Sequence, residues 1–414
     1  MLKKTIVALV LTNVFYFLHS GNGMLPLGFS IKSLGMGGVI TALPQDSLVA
    51  AYNPAGMNAL ENRLDLGTKC IIPPRGYHYT GSPLYKENSV KSNKNFFFSP
   101  VAGFNLHITQ RSSIGASFYV NGINSEYPKN NPAFGTSKLK ADIRHYFFAP
   151  TYAYTLGYNQ HLGFSVVLSS QSINIKGFEN FDNSVFSQYP DHVTNNGSDK
   201  LFGAGFKIGW YGTLFNILKL GAAYTTKIYT QKTKKYKGIL TNKGTTDFPA
   251  YVTTGAALDC KRLVLGFDYL MIFYENVSSL GNSIAQIGLP IDPTDIIHKL
   301  GSKNGPGFGW RNLSVYKWGA AYALNESITA RAGFSLSKSP YPALDIDLNI
   351  IGTAIVKNHL TIGFTYNINN HHELDFAYVY GMYATKKGES LLGLGTVKHH
   401  EMQHIAGINY GVKF

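Results

Sequence analysis

The sequence is short of charge. Asp, Glu, Lys and Arg make up 14% of its 414 residues, against about 25% in an average soluble domain. A wet surface is built from such residues, so a soluble globule of this size is disfavoured. Cysteine is nearly absent, with only Cys70 and Cys260. A disulfide scaffold is therefore excluded, and the lack of any CxxC pair removes zinc-ribbon readings. A single bridge between the two stays open. Long apolar runs are missing beyond the N-terminus. The rest of the chain offers no stretch of about 20 apolar residues, the length a spanning helix needs.

What is abundant is aromatic side chain and glycine: 27 Tyr, 26 Phe and 43 Gly. Formal net charge is +14. The positive charge is spread, and its densest run, "KTKKYK" at 232–237, falls at a strand end beside a polar loop. It reads as a solvated rim facing anionic lipid headgroups or lipopolysaccharide. Nucleic acid, the usual partner of a basic chain, is not expected for an exported protein. Export follows from "MLKKTIVALVLTNVFYFLHSGNG". Lys3 and Lys4 precede an apolar stretch from Ile6 to Leu18, and Ser20, Gly21 and Gly23 are small residues suited to cleavage. Residues 1–23 are expected to be a signal peptide.

After Leu64 the apolar period is two. In "HLTIGFTYNI", Leu360, Ile362, Phe364, Tyr366 and Ile368 share one face; Thr361, Gly363, Thr365 and Asn367 share the other. A sandwich buries the apolar face, whereas a membrane barrel turns it to lipid. The connections decide between them. Strands are expected at 64–72, 97–109, 113–122, 141–156, 162–178, 199–211, 218–237, 249–259, 263–274, 311–324, 328–338, 358–368, 373–384 and 403–414. Every second connection is short and the others are long and polar, as in an up-and-down outer-membrane barrel. Lipid contact requires such a barrel to be closed. The fold class is thus all-β: a transmembrane antiparallel β-barrel of fourteen strands, multi-pass, in a bacterial outer membrane. Loop 275–310 is expected to carry a short helix capped by Asp292 or Thr294.

A barrel of this size lies between those filled by side chains and those that leave a channel. Residues 24–60, Gly-rich and compact, are expected to plug the lumen, and residues 61–414 to form the wall. Gly35, Gly37 and Gly38 permit tight turns, and Asn53-Pro54 forces one. No GxSxG elbow occurs, and the one HExxH spacing, His400-Glu401-Met402-Gln403-His404, falls in strand or loop instead of the helix that motif needs, so no enzyme is expected, although a triad assembled in space stays open. His371, His372, His399, His400 and His404 cluster in sequence. They fall in strand or loop, so no metal and no cofactor is expected.

The stretch "GFSIKSLGMGGVITALPQDSLVAAYNPAGM" resembles the N-terminus of the FadL/TodX-type outer-membrane transporters. The likeness lies in the Gly-rich run, then Asp46, then Asn53-Pro54-Ala55 before the first strand. It extends to the strand count and the C-terminal Phe414. The resemblance implies passive uptake of a hydrophobic compound, most directly a long-chain fatty acid, by a monomer. It implies an interior apolar pocket and exit through the barrel wall, where the third strand kinks inward. Carried over, Asn53, Pro54 and Ala55 shape a hatch beside that opening. In the third strand, Gly115 and Gly122 are candidates for the kink, and Phe118 is its bulkiest side chain. Lys207 and Arg331 fall on inward faces by parity and are candidates for binding a carboxylate. The bland reading of each is a lumen charge paired with another strand. Three other functions stay open: an aromatic-hydrocarbon channel, an adhesin barrel using basic extracellular loops, and an outer-membrane hydrolase.

Overall fold

The computed structural model describes residues 22–287, 292 and 294–414. The signal-peptide reading falls on residues 1–23, of which 1–21 lie outside the described residues. Alternation of apolar and polar residues builds one large sheet of seventeen strand segments. Three are short side pieces, Arg75–Thr80, Asn88–Lys91 and Tyr229–Thr230. The remaining fourteen close a ring. They are β1 (Arg63–Ile72), β2 (Phe97–Thr109), β3 (Ser112–Asn130), β4 (Lys138–Gly157), β5 (Gln160–Lys176), β6 (Asp199–Leu214) and β7 (Leu218–Thr225). There follow β8 (Tyr251–Cys260), β9 (Leu263–Ile272), β10 (Leu313–Ala323), β11 (Ile328–Ser337), β12 (Asn358–Asn367), β13 (His372–Glu389) and β14 (Thr396–Lys413). Each pairs antiparallel with the next. β14 closes onto β1, from Arg63 opposite Lys413 to Ile72 opposite His404.

The faces are inverted relative to a soluble sheet. On β6, Phe202, Phe206 and Ile208 are 61%, 52% and 55% exposed, while Lys207 between them is fully buried. On β12, Leu360, Ile362, Phe364 and Tyr366 all face outward. Apolar side chains point out and polar ones point in, the arrangement that suits lipid outside and a filled lumen inside.

Strand ends depart from the sequence reading where the wall meets water. β7 stops at Thr225 instead of running to 237. Thr226 bends the chain, its N–H donating to the Phe206 carbonyl and its hydroxyl accepting from the Phe206 N–H, both at 2.9 Å. The lysine run that follows has no place on a lipid face. Instead, Asp199 accepts from the Thr233 hydroxyl (2.6 Å) and from the N–H groups of Lys234 (3.0 Å) and Lys235 (3.2 Å). β3, β13 and β14 run longer than read, because polar residues continue the ladder into the rim, where alternation gives no apolar signal. No helix follows Asp292 among the described residues. Its carboxylate accepts from the Thr294 N–H at 2.8 Å in a local turn. Among the described residues, the helical pieces of that loop are Tyr274–Asn276 at its start, Ser278–Gly281 and Ile284–Ile287.

The chain before β1 lies inside the ring. Ser30 caps a helical turn at Ile31–Leu34, accepting from the Ser33 N–H at 3.2 Å. Asp46 caps a 3₁₀ turn at Ser47–Ala51. Asn53 caps another at Pro54–Ala59, with Pro54 in the first turn, where its missing N–H costs nothing. Gly37 and Gly38 take positive φ, 68° and 89°, to reverse the chain between the first two. Leu25, Leu27, Phe29, Ile31, Leu34, Leu48, Val49 and Tyr52 are all buried. Each apolar side chain so buried contributes roughly 1.5–3 kcal/mol.

The wall accommodates this segment with inward-facing glycines. A Cβ at Gly319 would overlap the Met36 carbonyl, at Gly163 the Pro54–Ala55 peptide, and at Gly209 the Asn53 side chain. On β2, a Cβ at Gly103 would meet the Ser47 side chain. These close approaches let the backbone of the segment lie directly on the backbone of the wall.

A seam in the wall and the charges behind it

β2 and β3 pair from Thr109 opposite Ser112 up to Ala102 opposite Phe118, and there the pairing stops. β2 keeps its other partner, β1, as far as Phe97 opposite Ile71. β3 keeps its other partner, β4, through Glu126 opposite Lys140. The wall is therefore parted along one line. Two residues explain the parting locally. Pro100 has no N–H to give to a ladder. Gly122 has φ 157° and lies so close to β4 that a Cβ would overlap the Ile143 carbonyl oxygen. From Tyr119 to Ser125 every β3 residue is buried, so the in–out alternation of a wall strand is lost. The strand has moved inward. The Ser99 hydroxyl still reaches the Val120 carbonyl at 3.3 Å, but no backbone pair bridges the gap.

Aromatic rings line both sides of the seam. Inside, the Phe29 ring of the N-terminal segment lies 4.1 Å from that of Tyr119 and 5.0 Å from that of Tyr52. Tyr119 stacks on Phe147 at 5.0 Å, and Phe147 meets Phe248 edge-on at 5.1 Å. At the seam itself, Phe118 and Tyr146 are half-buried and pack with Val120 and Phe97. Outside, Phe96 and Phe98 are exposed and meet edge-on at 5.1 Å. Gly115 lies below the seam, where a Cβ would overlap the Phe104 carbonyl and the Met57 side chain.

The Asn-Pro-Ala turn sits against a different part of the wall. The Asn53 amide donates to the carbonyls of Thr41 (2.8 Å) and of Trp210 on β6 (2.9 Å), and its oxygen accepts from the Ala55 N–H (3.1 Å). Pro54 and Ala55 rest on Gly163 of β5 and Gly209 of β6. Nearer the seam is the preceding turn: the Ser47 N–H and hydroxyl donate to Asp65 of β1 at 2.9 and 2.5 Å, and Ser47 lies over Gly103 of β2.

Buried cations pin the segment in place. Lys207 donates to the carbonyls of Ala50 (3.3 Å) and Ala51. Lys69 donates to the Gly28 carbonyl at 3.1 Å. Lys317 donates to those of Leu27 (3.0 Å) and Gly38 (3.3 Å), and stands opposite Asp268 in the ladder. Asp268 in turn accepts from the N–H groups of Ile40 and Thr41 at 2.8 and 2.9 Å. Arg331 is half-buried, donating to Gln45 Oε1 (3.2 Å) and the Thr365 hydroxyl (2.6 Å). A denser network joins Lys32 of the segment to the wall. Glu373 receives Lys32 and Arg63, each at 2.5 Å, and Lys413 at 3.5 Å, while Arg63 also pairs with Asp65 at 2.6 Å. Parity singled out Lys207 and Arg331. It passed over Lys69, Lys317 and Glu373, although each also stands in the inward phase of its strand.

Two buried lysines flank the seam's inner rings. The Lys69 ammonium lies 5.6 Å from the Phe29 ring and that of Lys207 lies 5.8 Å from the Tyr119 ring. The partners of both are main-chain carbonyls; neither forms an ion pair with a carboxylate among the described residues.

The long loops fold over the outer mouth. The Tyr274 hydroxyl accepts from the Met24 N–H at 2.9 Å and donates to the Asn22 carbonyl. Trp310 donates to Asn349 Oδ1 at 2.7 Å. The strap 343–351 is tied down by two carboxylates. Asp345 accepts from the Ser283 hydroxyl (2.6 Å) and the Ile284 N–H (2.8 Å); Asp347 accepts from the Ser390 hydroxyl (2.7 Å) and the Leu391 N–H (2.8 Å). Burial pushes the Asp345 carboxyl up and that of Asp347 up to about 6, against those hydrogen bonds. Phe178, Ile239, Leu240, Phe308, Leu348 and Ile351 enclose an apolar crevice of about 20 Å³ beneath the loops.

Among the described residues no three His, Cys, Asp or Glu side chains gather as metal ligands. His399 meets the Tyr341 hydroxyl at 3.0 Å and His404 that of Tyr378 at 2.7 Å. Cys70 and Cys260 are both free.

Comparison with known proteins agrees with this geometry. The profile described as "Outer membrane protein transport protein (OMPP1/FadL/TodX)" matches residues 28–391. A search of curated protein sequences finds no match. Among solved structures, the Pseudomonas putida toluene transporter TodX superposes with a TM-score of 0.69 at 17% identity, covering 94% of this chain and 99% of that one. A Pseudomonas aeruginosa FadL homologue gives 0.68 at 16%, covering 95% and 100%. The Ralstonia pickettii toluene transporter TbuX gives 0.65 at 18%, covering 94% and 99%. A closed fourteen-stranded barrel with lipid-facing apolar strands, matched over most of its length by this profile, belongs to the OMPP1/FadL/TodX family of outer-membrane transport channels for hydrophobic compounds.

Proposed function

We propose that this channel takes up long-chain fatty acids and releases them sideways into the membrane through the seam between β2 and β3. The observation that carries this reading is the parting of those strands above Ala102–Phe118, with aromatic rings on both sides of it. An apolar chain gains about 0.8 kcal/mol for each CH₂ taken out of water. A path from the Phe29–Tyr119 pair, past Phe118, to the lipid beside Phe98 keeps that gain throughout. A route down the lumen would forfeit it and would have to displace residues 24–60. In this reading those residues are the hatch, and the Asn53-Pro54-Ala55 turn holds it against β5 and β6.

Lys69 and Lys207 are the groups that would receive a ligand headgroup. A buried ammonium with only carbonyl partners carries an uncompensated charge, which is costly in a low-dielectric interior. A ligand carboxylate arriving beside the Phe29–Tyr119 pair would bring one countercharge to the two ammonium groups. Arg331, bound to Gln45 and Thr365 on the far side, takes no direct part. Entry requires the loops to part, because a crevice of about 20 Å³ admits no fatty acid. Aromatic hydrocarbons are the second reading, favoured by the ring-lined path itself, which asks nothing of a headgroup. Uptake of labelled oleate and of toluene by cells lacking their own transporter tests both. Oleate uptake above control supports the first reading; toluene uptake alone replaces it with the second.

A further inference from the structure

On the outer surface, where the extracellular ends of β10 and β11 leave the membrane, there is a cleft of about 770 Å³. Four cations line it: Arg311, Lys338, Lys357 and Lys386. Their neighbours do not neutralise them. Lys338 and Lys357 have no ion-pair partner among the described residues. Lys386 donates to the Ser339 hydroxyl at 3.3 Å and lies 4.9 Å from the Tyr341 ring. Arg311 meets one carboxylate, Glu275, at 3.8 Å across an exposed gap. The cleft is held in shape by the backbone. The Ser337 N–H donates to the Lys357 carbonyl at 2.8 Å, and the Arg311 N–H to the Pro340 carbonyl at 2.6 Å.

Like charges gathered at close range repel, and folding gains nothing from leaving them unpaired. Directly below the cleft the wall turns apolar. Tyr316 and Leu336, which form its floor, are 40% and 39% exposed on the lipid-facing side. A cationic cup above an apolar strip matches an anionic amphiphile, with headgroup up and acyl chains down. Its volume suits a sugar-sized headgroup. Three lysines and an arginine, with Ser337 and Ser339 between them, form a donor set for phosphate oxygens.

We propose that this cleft binds the phosphorylated headgroup of an outer-leaflet glycolipid, whose acyl chains lie along Tyr316 and Leu336. The site lies outside the barrel, on the far side of the ring from the seam, and is independent of the transport path.

Native mass spectrometry of the full-length protein in detergent tests this, using lipid A, enzymatically dephosphorylated lipid A, inorganic phosphate and oleate as probes. The expected result is retention of lipid A, loss of retention on dephosphorylation, and no displacement by inorganic phosphate at matched concentration. The triple change Lys338→Gln, Lys357→Gln and Lys386→Gln should weaken lipid A binding by about tenfold or more, with oleate uptake by cells unchanged. Equal retention of both lipids would overturn the proposal, as would displacement by inorganic phosphate. Displacement by oleate, with loss of oleate uptake in the triple variant, would also overturn it by making the cleft a capture site for the transported ligand. The lipid comparison uses the unaltered protein, so a folding defect in the variant cannot decide the outcome.

Discussion

Ala102 of β2 pairs with Phe118 of β3, and the next pair in register, Val101 with Tyr119, does not form. All other neighbouring wall strands stay joined, including β1 to β14. A barrel in lipid cannot leave backbone groups unpaired at low cost. The parting is confined to the stretch where Pro100 has no N–H to lose and where Tyr119 to Ser125 have withdrawn into the protein.

Gly122→Val tests the geometry of the seam. A Cβ at this position overlaps the Ile143 carbonyl of β4, so β3 must shift outward or detach. Oleate uptake is expected to fall towards the background of cells without the protein. The barrel should remain assembled, as seen by heat-modifiable migration on gels. At Gly212→Val, at the far end of β6, the atoms nearest the added Cβ belong to the flexible Gln160 side chain, and uptake should stay near normal.

Lys69→Met and Lys207→Met, made together, separate the two ligand classes. Both lysines face the inner rings of the seam, and among the described residues neither has a carboxylate partner. Oleate uptake is expected to be lost and toluene uptake kept. Equal loss of both would mean that the lysines serve only to pin residues 28, 50 and 51.

Glu373→Ala should loosen the N-terminal segment. It leaves Lys32 without its 2.5 Å partner and Arg63 with Asp65 alone. Removing one member of a buried ion pair costs roughly 3–5 kcal/mol. Hydrogen exchange at 31–34 and 47–51 is expected to rise, and cells should become more permeable to small antibiotics.

The outer strap 343–351 should respond to pH. The Asp347 carboxyl titrates higher in the folded protein, at about 6, than the ordinary value of 3.8, because burial disfavours its charge. The folded strap therefore holds this proton more tightly than the open one. Its stabilisation is complete below the ordinary value and is lost as pH rises through about 6. Asp345 is shifted in the same direction. Exchange in the strap, corrected for the intrinsic rate, should be slowest near pH 4 and faster at pH 7. Asp347→Asn should flatten the difference.

Much of the wall was legible because lipid imposes a strict period of two. All fourteen strands were placed from it, as in β12, where every outward residue from Leu360 to Tyr366 is apolar. Legibility ended where that constraint ends. The Lys232–Lys237 run carried no pattern to show that β7 had already stopped at Thr225. The site was partly legible. Parity placed Lys207 inward, where it is buried, but did not separate Gly115 from Gly122 as the place where β3 could bend. Parity could not show that Ala50 and Ala51 already engage the ammonium of Lys207, because that contact joins residues far apart in the chain. The inward glycines at 103, 163, 209 and 319 read as neutral strand glycines until the backbone they admit is seen lying on them.

The most direct test of lateral release is photo-crosslinking with a long-chain fatty acid that carries a diazirine near its methyl end. Cells take up the probe, are irradiated during transport, and labelled peptides are mapped by mass spectrometry. Label is expected on Phe97–Val101 and on Phe118–Ile123, the two lips of the seam. Label confined to periplasmic turns such as Asn325–Ser327 and Asn369–His371, with none on β2 or β3, would contradict exit through the wall.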